Sequence, residues 1–170
     1  DRPYLHQPVD RRWRSFSWRE VDTQARCLAS GLQAQGYRAG DRIAILSKNC
    51  AEWFIADFAI MMAGLVSVPI YPTASATTIR YVLEHSEARA IFLGKLDATG
   101  PADEAIGPHV LRIALPYPTA PAAAHWNDWL AHHQPLADTA QQRPDDIFTL
   151  VYTSGSTGVP KGVVISHRNM

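Results

Sequence analysis

The chain has 170 residues, of which 46% are hydrophobic and 19% charged, proportions expected of one globular domain with an apolar core. Lys and Arg number 16, and so do Asp and Glu; a zero net charge argues against a broad electrostatic footprint for nucleic acid or an anionic membrane. The longest apolar stretch, Trp53 to Met62, is interrupted by Asp57 and is too short to span a bilayer, so no transmembrane segment is expected.

The chain opens DRPYLHQP, with no basic-then-apolar signal peptide. Arg11, Arg12 and Arg14 make a local basic spot that reads as a solvated N-terminal arm. Ser17-Trp18-Arg19-Glu20 has the S-x-x-E spacing of a capping box. Apolar residues then recur at Val21, Ala25, Leu28, Ala29 and Leu32, one helix face, and Gly36 suits a left-handed stop. Arg42 to Leu46 (RIAIL) reads as a strand after the turn at Gly40-Asp41. Asn49 with Glu52 gives a second cap signal before a helix that is apolar nearly all round and closes at Gly64.

Val66 to Ile70 (VSVPI) reads as a strand whose ladder Pro69 limits. Tyr71-Pro72-Thr73 turns the chain, Thr77 to His85 forms a helix, and Arg89 to Leu93 a strand. This alternation predicts an α/β layered fold, a largely parallel sheet flanked by helices. The middle is less regular: Val110 to Leu115 is one more strand and His125 to His133 a short helix. PYPTAPAAA (Pro116 to Ala124) is a Pro/Ala-rich connector without assigned function. Cys27 and Cys50 lie in helix-like apolar patterns and read as buried free thiols, which suits a reducing, cytoplasmic compartment. The five tryptophans are expected in the core or at an interface, and His132-His133 on the surface.

The stretch YTSGSTGVPKGV (Tyr152 to Val163) joins the strand-like runs IFTLV and GVVIS. A plain hairpin turn usually takes about two to five residues. Thr153 to Lys161 is longer and rich in hydroxyls. A polyphosphate explains these residue types. Gly155 and Gly158 let backbone N–H groups approach its oxygens, and Thr153, Ser154, Ser156 and Thr157 add hydroxyl donors. Lys161 adds a compact positive charge. Neither G-x-x-x-x-G-K-[ST] nor G-x-G-x-x-G fits, because Lys161 lies between Pro160 and Gly162 and the glycine spacing is wrong.

The stretch resembles, position by position, the AMP-binding signature [YF]-T-S-G-[ST]-T-G-x-P-K-G-[VA] of the acyl-adenylate-forming enzymes. FSWREV, GYRAGDRIAIL and NCAEWFIADFAIMMAGLVSVPIYPT resemble the opening of that family's large domain. The NCAEW and VPIYPT stretches look most like long-chain fatty acyl-CoA synthetases. The resemblance implies that 1–170 is the N-terminal part of the large domain: 1–93 a first α/β segment, 94–146 a variable connector segment, and 147–170 a strand, the phosphate loop and a strand. The chain would then be a fragment, lacking the small C-terminal domain and its catalytic lysine.

By the same resemblance, a carboxylate attacks Mg-ATP to give an acyl-adenylate and pyrophosphate, and coenzyme A then displaces AMP. Thr153, Ser154, Gly155, Ser156, Thr157, Gly158 and Lys161 would hold the β- and γ-phosphates. No catalytic residue falls in this chain, and the Mg2+ ligands lie mostly outside it. His167, where the family often has a histidine, reads as a structural partner of the loop backbone. A fatty acyl-AMP ligase, a peptide-synthetase adenylation domain, or a non-catalytic binding fragment are the alternatives. The expected partners are ATP, a carboxylic acid and CoA, with self-association of the chain and peripheral contact with the inner membrane allowed.

Overall fold

The computed structural model describes residues 2–117, 121–154 and 159–170. Two antiparallel strands, β1 (Pro3–Val9) and β2 (Arg12–Ser17), form a hairpin where the sequence suggests a solvated arm. Its turn residues Asp10 and Arg11 take positive φ of 49° and 61°, the left-handed conformations that suit a tight hairpin turn. Arg11 and Arg12 stay exposed. The Arg14 guanidinium lies 4.3 Å from the Phe16 ring centroid and 3.8 Å from a Glu52 carboxylate oxygen. The basic spot is therefore part of a folded ribbon.

The helix α1 (Trp18–Ala34) starts as its spacing predicts. The Glu20 amide donates to Ser17 Oγ at 3.2 Å, and the Ser17 amide donates to a Glu20 carboxylate oxygen at 2.6 Å. These bonds satisfy donors that a helix start leaves open. The alternation then continues through β3 (Arg42–Leu46), α2 (Ala51–Met62), β4 (Val66–Ile70), α3 (Ala76–His85) and β5 (Ala90–Leu93). From the irregular middle come α4 (Gly100–Ala105), β6 (Leu111–Ala114), β7 (Ala124–His125) and α5 (Trp126–His132). Of these, α4 and β7 carry no clear periodic signal. The chain finishes with β8 (Ile147–Ser154), β9 (Pro160–Ser166) and a 3-10 turn at His167–Asn169.

The start of α2 departs from the expected Asn49/Glu52 cap. Cys50 occupies the cap position without a side-chain bond. The Ala51 amide instead donates to Gln7 Oε1 at 2.6 Å, a cap supplied by β1. Glu52 is 3% exposed and accepts the Tyr117 hydroxyl proton at 2.6 Å. Burial, and then the bond to Glu52, push the Tyr117 phenol well above its usual pKa. A buried carboxylate needs such partners to offset its desolvation.

The main sheet has the order β7-β6-β5-β3-β4-β8-β9; its strands pair parallel except for β9, which is antiparallel to β8. Alternation in RIAIL fixes the layers. Ile43 and Ile45 pack in one core with α1, α2 and α5, whereas Ala44 and Leu46 pack in the other with α3 and α4. Strands buried on both faces read as continuous apolar runs, and each fully buried Leu or Ile contributes about 1.5–3 kcal/mol relative to exposure. β4 meets β8 through the single registered pair Ser67–Thr149, consistent with Pro69 lacking a ladder donor.

Cys27 and Cys50 are buried free thiols. Trp126 and Trp129 are core residues, but Trp13 and Trp18 are 73% and 57% exposed. Trp18 stacks on Tyr4 with ring centroids 3.5 Å apart. No helix among the described residues is long and apolar enough to cross a membrane.

Candidate functional site

The crossovers place a crevice at the carboxyl ends of β3 and β4. The helix after β3 packs in one core and the helix after β4 in the other, so the loops leaving these neighbouring strands diverge. Open α/β sheets bind ligands at such a point. β8 lies next to β4 and delivers its own carboxyl end, Tyr152 to Ser154, to the same edge.

Two cavities flank Tyr152 there. One of about 170 Å³ is lined by Ser47, Asn49, Trp53, Tyr71 and Tyr152 among others. The other, about 330 Å³, is lined by residues including Tyr71, Thr73, Thr78, Tyr152, Thr153 and Pro160. A larger cavity of about 510 Å³ opens at the opposite, amino ends of the strands. Its charged side chains already have partners: Arg143 with Asp146, Asp145 with Arg168, and Arg42 with Glu87. The carboxyl-end crevice is the better candidate, because Thr73, Thr78 and Thr153 line it beside the strand pair that carries the exposed Lys161.

The β8–β9 register builds that mouth. Thr153 pairs with Lys161, Tyr152 with Gly162, and Ser154 with Pro160. Directly opposite residues put their side chains on the same face of a strand pair, so the Thr153 hydroxyl and the Lys161 ammonium share one side. Both residues are exposed. Tyr152 and Gly162 form the next pair, on the other side. A Cβ on Gly162 would lie 3.2 Å from Tyr152 Cζ, so the glycine makes room for the ring. Gly155, Ser156, Thr157 and Gly158 lie outside the described residues.

Tyr152 is held from α3. Its hydroxyl lies 2.8 Å from His85 Nδ1. Tyr81 stacks on His85 at 5.3 Å between centroids and meets Tyr152 edge-on at 6.4 Å. Tyr152 is 7% exposed; burial, and then the nearby Tyr81, raise its phenol pKa, so the hydroxyl keeps its proton. Sequence reasoning missed His85 and Tyr81, since 67 residues separate His85 from Tyr152 and no local pattern marks the pair.

Among the described residues, His167 does not approach the loop end of the hairpin. It stands at the far end of the hairpin, edge-on to Phe148 at 5.3 Å, and its amide donates to the Asp146 carbonyl at 3.0 Å. His132 is exposed, as expected, and bonds the Asp128 carbonyl in its own helix. Among the described residues no group of three or more His, Cys, Asp or Glu could hold a metal ion.

A family model described as AMP-binding enzyme matches residues 1–170. The chain is 37% identical over 174 residues to a long-chain-fatty-acid–CoA ligase of Mycobacterium bovis, covering 95% of this chain and 28% of that protein. It is 35% identical to fatty acyl-CoA synthetase A of Dictyostelium discoideum, over 95% of this chain and 26% of that one. Among solved structures, the anthranilate CoA ligase AuaEII with anthranoyl-AMP aligns with a TM-score of 0.81 at 25% identity, covering 91% of this chain and 30% of its own. The chain thus spans under a third of the length of these relatives.

Proposed function

The chain belongs to the AMP-binding enzyme family, and on that premise we propose that it is the N-terminal part of an ATP-dependent acyl-CoA synthetase acting on fatty acids. The observation that carries the reading is the register that sets Lys161 opposite Thr153 at the mouth of a glycine- and hydroxyl-rich loop. The relatives named for long-chain and other fatty acids support the substrate class. The segments 1–93, 94–146 and 147–170 are read as successive parts of one large domain, completed by a small C-terminal domain.

The reaction runs in two displacements. A carboxylate oxygen attacks the α-phosphorus of ATP, forming an acyl–O–P bond while the bond to the β-phosphate breaks and pyrophosphate leaves. The sulfur of CoA then attacks the acyl carbonyl, a thioester forms, and AMP departs. Catalysis of such displacements rests on positioning and on fixed groups that face the developing charge.

This chain supplies one wall of that site. Lys161 offers a compact positive charge to the departing pyrophosphate, and the Thr153 hydroxyl donates to a phosphate oxygen. Neither acts as acid or nucleophile. Magnesium, when bound with ATP, would neutralise charge on the phosphates that Lys161 and Thr153 face.

Product analysis of the full-length polypeptide tests the reading. With a long-chain fatty acid, ATP, Mg2+ and CoA, mass spectrometry should find acyl-CoA and AMP in equal amounts. Acyl-adenylate accumulating unchanged in the presence of CoA would instead make the protein an acyl-AMP ligase.

A further inference from the structure

Tyr152 is the residue from which the phosphate loop departs, and its partners on α3 belong to no motif. The His85 ring stands perpendicular to Tyr152, at 5.7 Å between centroids, with Nδ1 2.8 Å from the hydroxyl. Tyr81, one helical turn earlier, stacks on the His85 ring and limits its rotation. The Tyr152 ring in turn lies across Gly162, where there is no side chain to push it away. Four residues from α3, β8 and β9 therefore converge one position before the Thr153–Lys161 pair.

We propose that His85 is a positioning residue of the phosphate hairpin: by bonding the Tyr152 hydroxyl it fixes where β8 and β9 present Thr153 and Lys161. The proposal rests on the phosphate-binding reading of the hairpin. A substrate-positioning element tolerates little displacement, because small misplacements are costly in rate. The family signature accepts either Tyr or Phe at this position, so the hydroxyl is not required for phosphate binding itself. It tunes the rigidity of the base from which the loop springs, and the aromatic ring alone fills the space over Gly162.

The test compares His85→Phe, which keeps a ring against Tyr81 and loses the polar atom, with His85→Asn, which keeps a polar atom at the Nδ1 position. Tyr152→Phe removes the same bond from its other end. Each is made in the full-length polypeptide and assayed for fatty-acid-dependent ATP–pyrophosphate exchange. His85→Phe and Tyr152→Phe should each raise the KM for ATP about three- to fivefold, the worth of one neutral hydrogen bond. The KM for the fatty acid should not change, the double variant should be no worse than either single one, and His85→Asn should recover most of the loss. Additive losses, or an unchanged KM for ATP, would overturn the proposal. Amide hydrogen exchange reads the hairpin directly, without any need for activity. Residues 150–153 and 161–164 should exchange about three- to fivefold faster in both Phe variants, with the α3 amides unaltered. Unchanged hairpin protection would refute the positioning role even in an active enzyme. An inactive wild-type protein with the expected change in protection would instead refute the phosphate reading.

Discussion

Thr153 and Lys161 face each other across the β8–β9 hairpin, a registered pair in which one residue brings a hydroxyl and the other an ammonium to the same side of the ribbon. The pair stands beside the crevice that the divergence of β3 and β4 opens, at the carboxyl edge of the sheet. On the proposed reading, Lys161 would face the pyrophosphate that leaves ATP, not the AMP that is kept.

In the full-length polypeptide, Lys161→Ala should therefore slow adenylation by about 10- to 100-fold, the range for losing a charge-assisted hydrogen bond. AMP affinity should fall much less. Rapid-quench kinetics of acyl-adenylate formation and calorimetric titration with AMP measure the two quantities. Equal losses in both would move the charge to the nucleotide monophosphate.

Gly31 lies where α1 passes α5. A Cβ built there would be 2.5 Å from Trp129 Cε3, inside contact distance with a core indole. Gly31→Ala should destabilise by about 1–3 kcal/mol, as overpacking does. Urea titration checks this, and adding Trp129→Leu to the same chain should recover part of the loss.

Asp57 interrupts the apolar run of α2, and burial raises its carboxyl pKa above the ordinary aspartate value. The folded chain thus holds this proton more tightly than the unfolded one. The stability so contributed is full below the unfolded pKa and is lost as pH rises through the folded value. Asp57→Asn removes the titration, and should melt at a higher temperature than the parent at neutral pH. The advantage should shrink as pH falls toward about 4, where the unfolded carboxyl is also protonated. Thermal melts across that interval measure it.

Val163 and Val164 on β9 are 46% and 57% exposed, and among the described residues β9 pairs only with β8. An apolar strand with a free edge is a template for pairing with another chain. The 170-residue chain alone should self-associate, and Val164→Lys should shift it toward monomer. Sedimentation equilibrium at several loading concentrations decides the matter; a monomer at every concentration would contradict it.

Much of the layered architecture was legible because its causes are local. RIAIL and AIFL are apolar on both faces, which only a covered sheet accommodates, and the Ser17 and Glu20 side chains accept from each other's amides within one turn. The candidate phosphate loop stands out in the sequence for a similar reason: its residue types are concentrated in twelve consecutive positions. What escaped notice depends on distance in the chain. Gln7 caps α2 from 44 residues away, so Asn49 looked like the cap and Glu52 like its partner. The β1–β2 ribbon is exposed along most of β2, and its turn uses Asp10 and Arg11 in place of glycine, so neither burial nor turn chemistry announced it. The bond from His85 to Tyr152 left no trace in either local pattern.

Isotope exchange between ATP and pyrophosphate tests most directly whether this hairpin serves adenylate formation. The full-length polypeptide should catalyse exchange that depends on a fatty acid, and the 170-residue chain assayed beside it should not. A well-folded full-length protein that exchanges with no carboxylate would contradict the claim, leaving the loop to hold phosphate for some other chemistry.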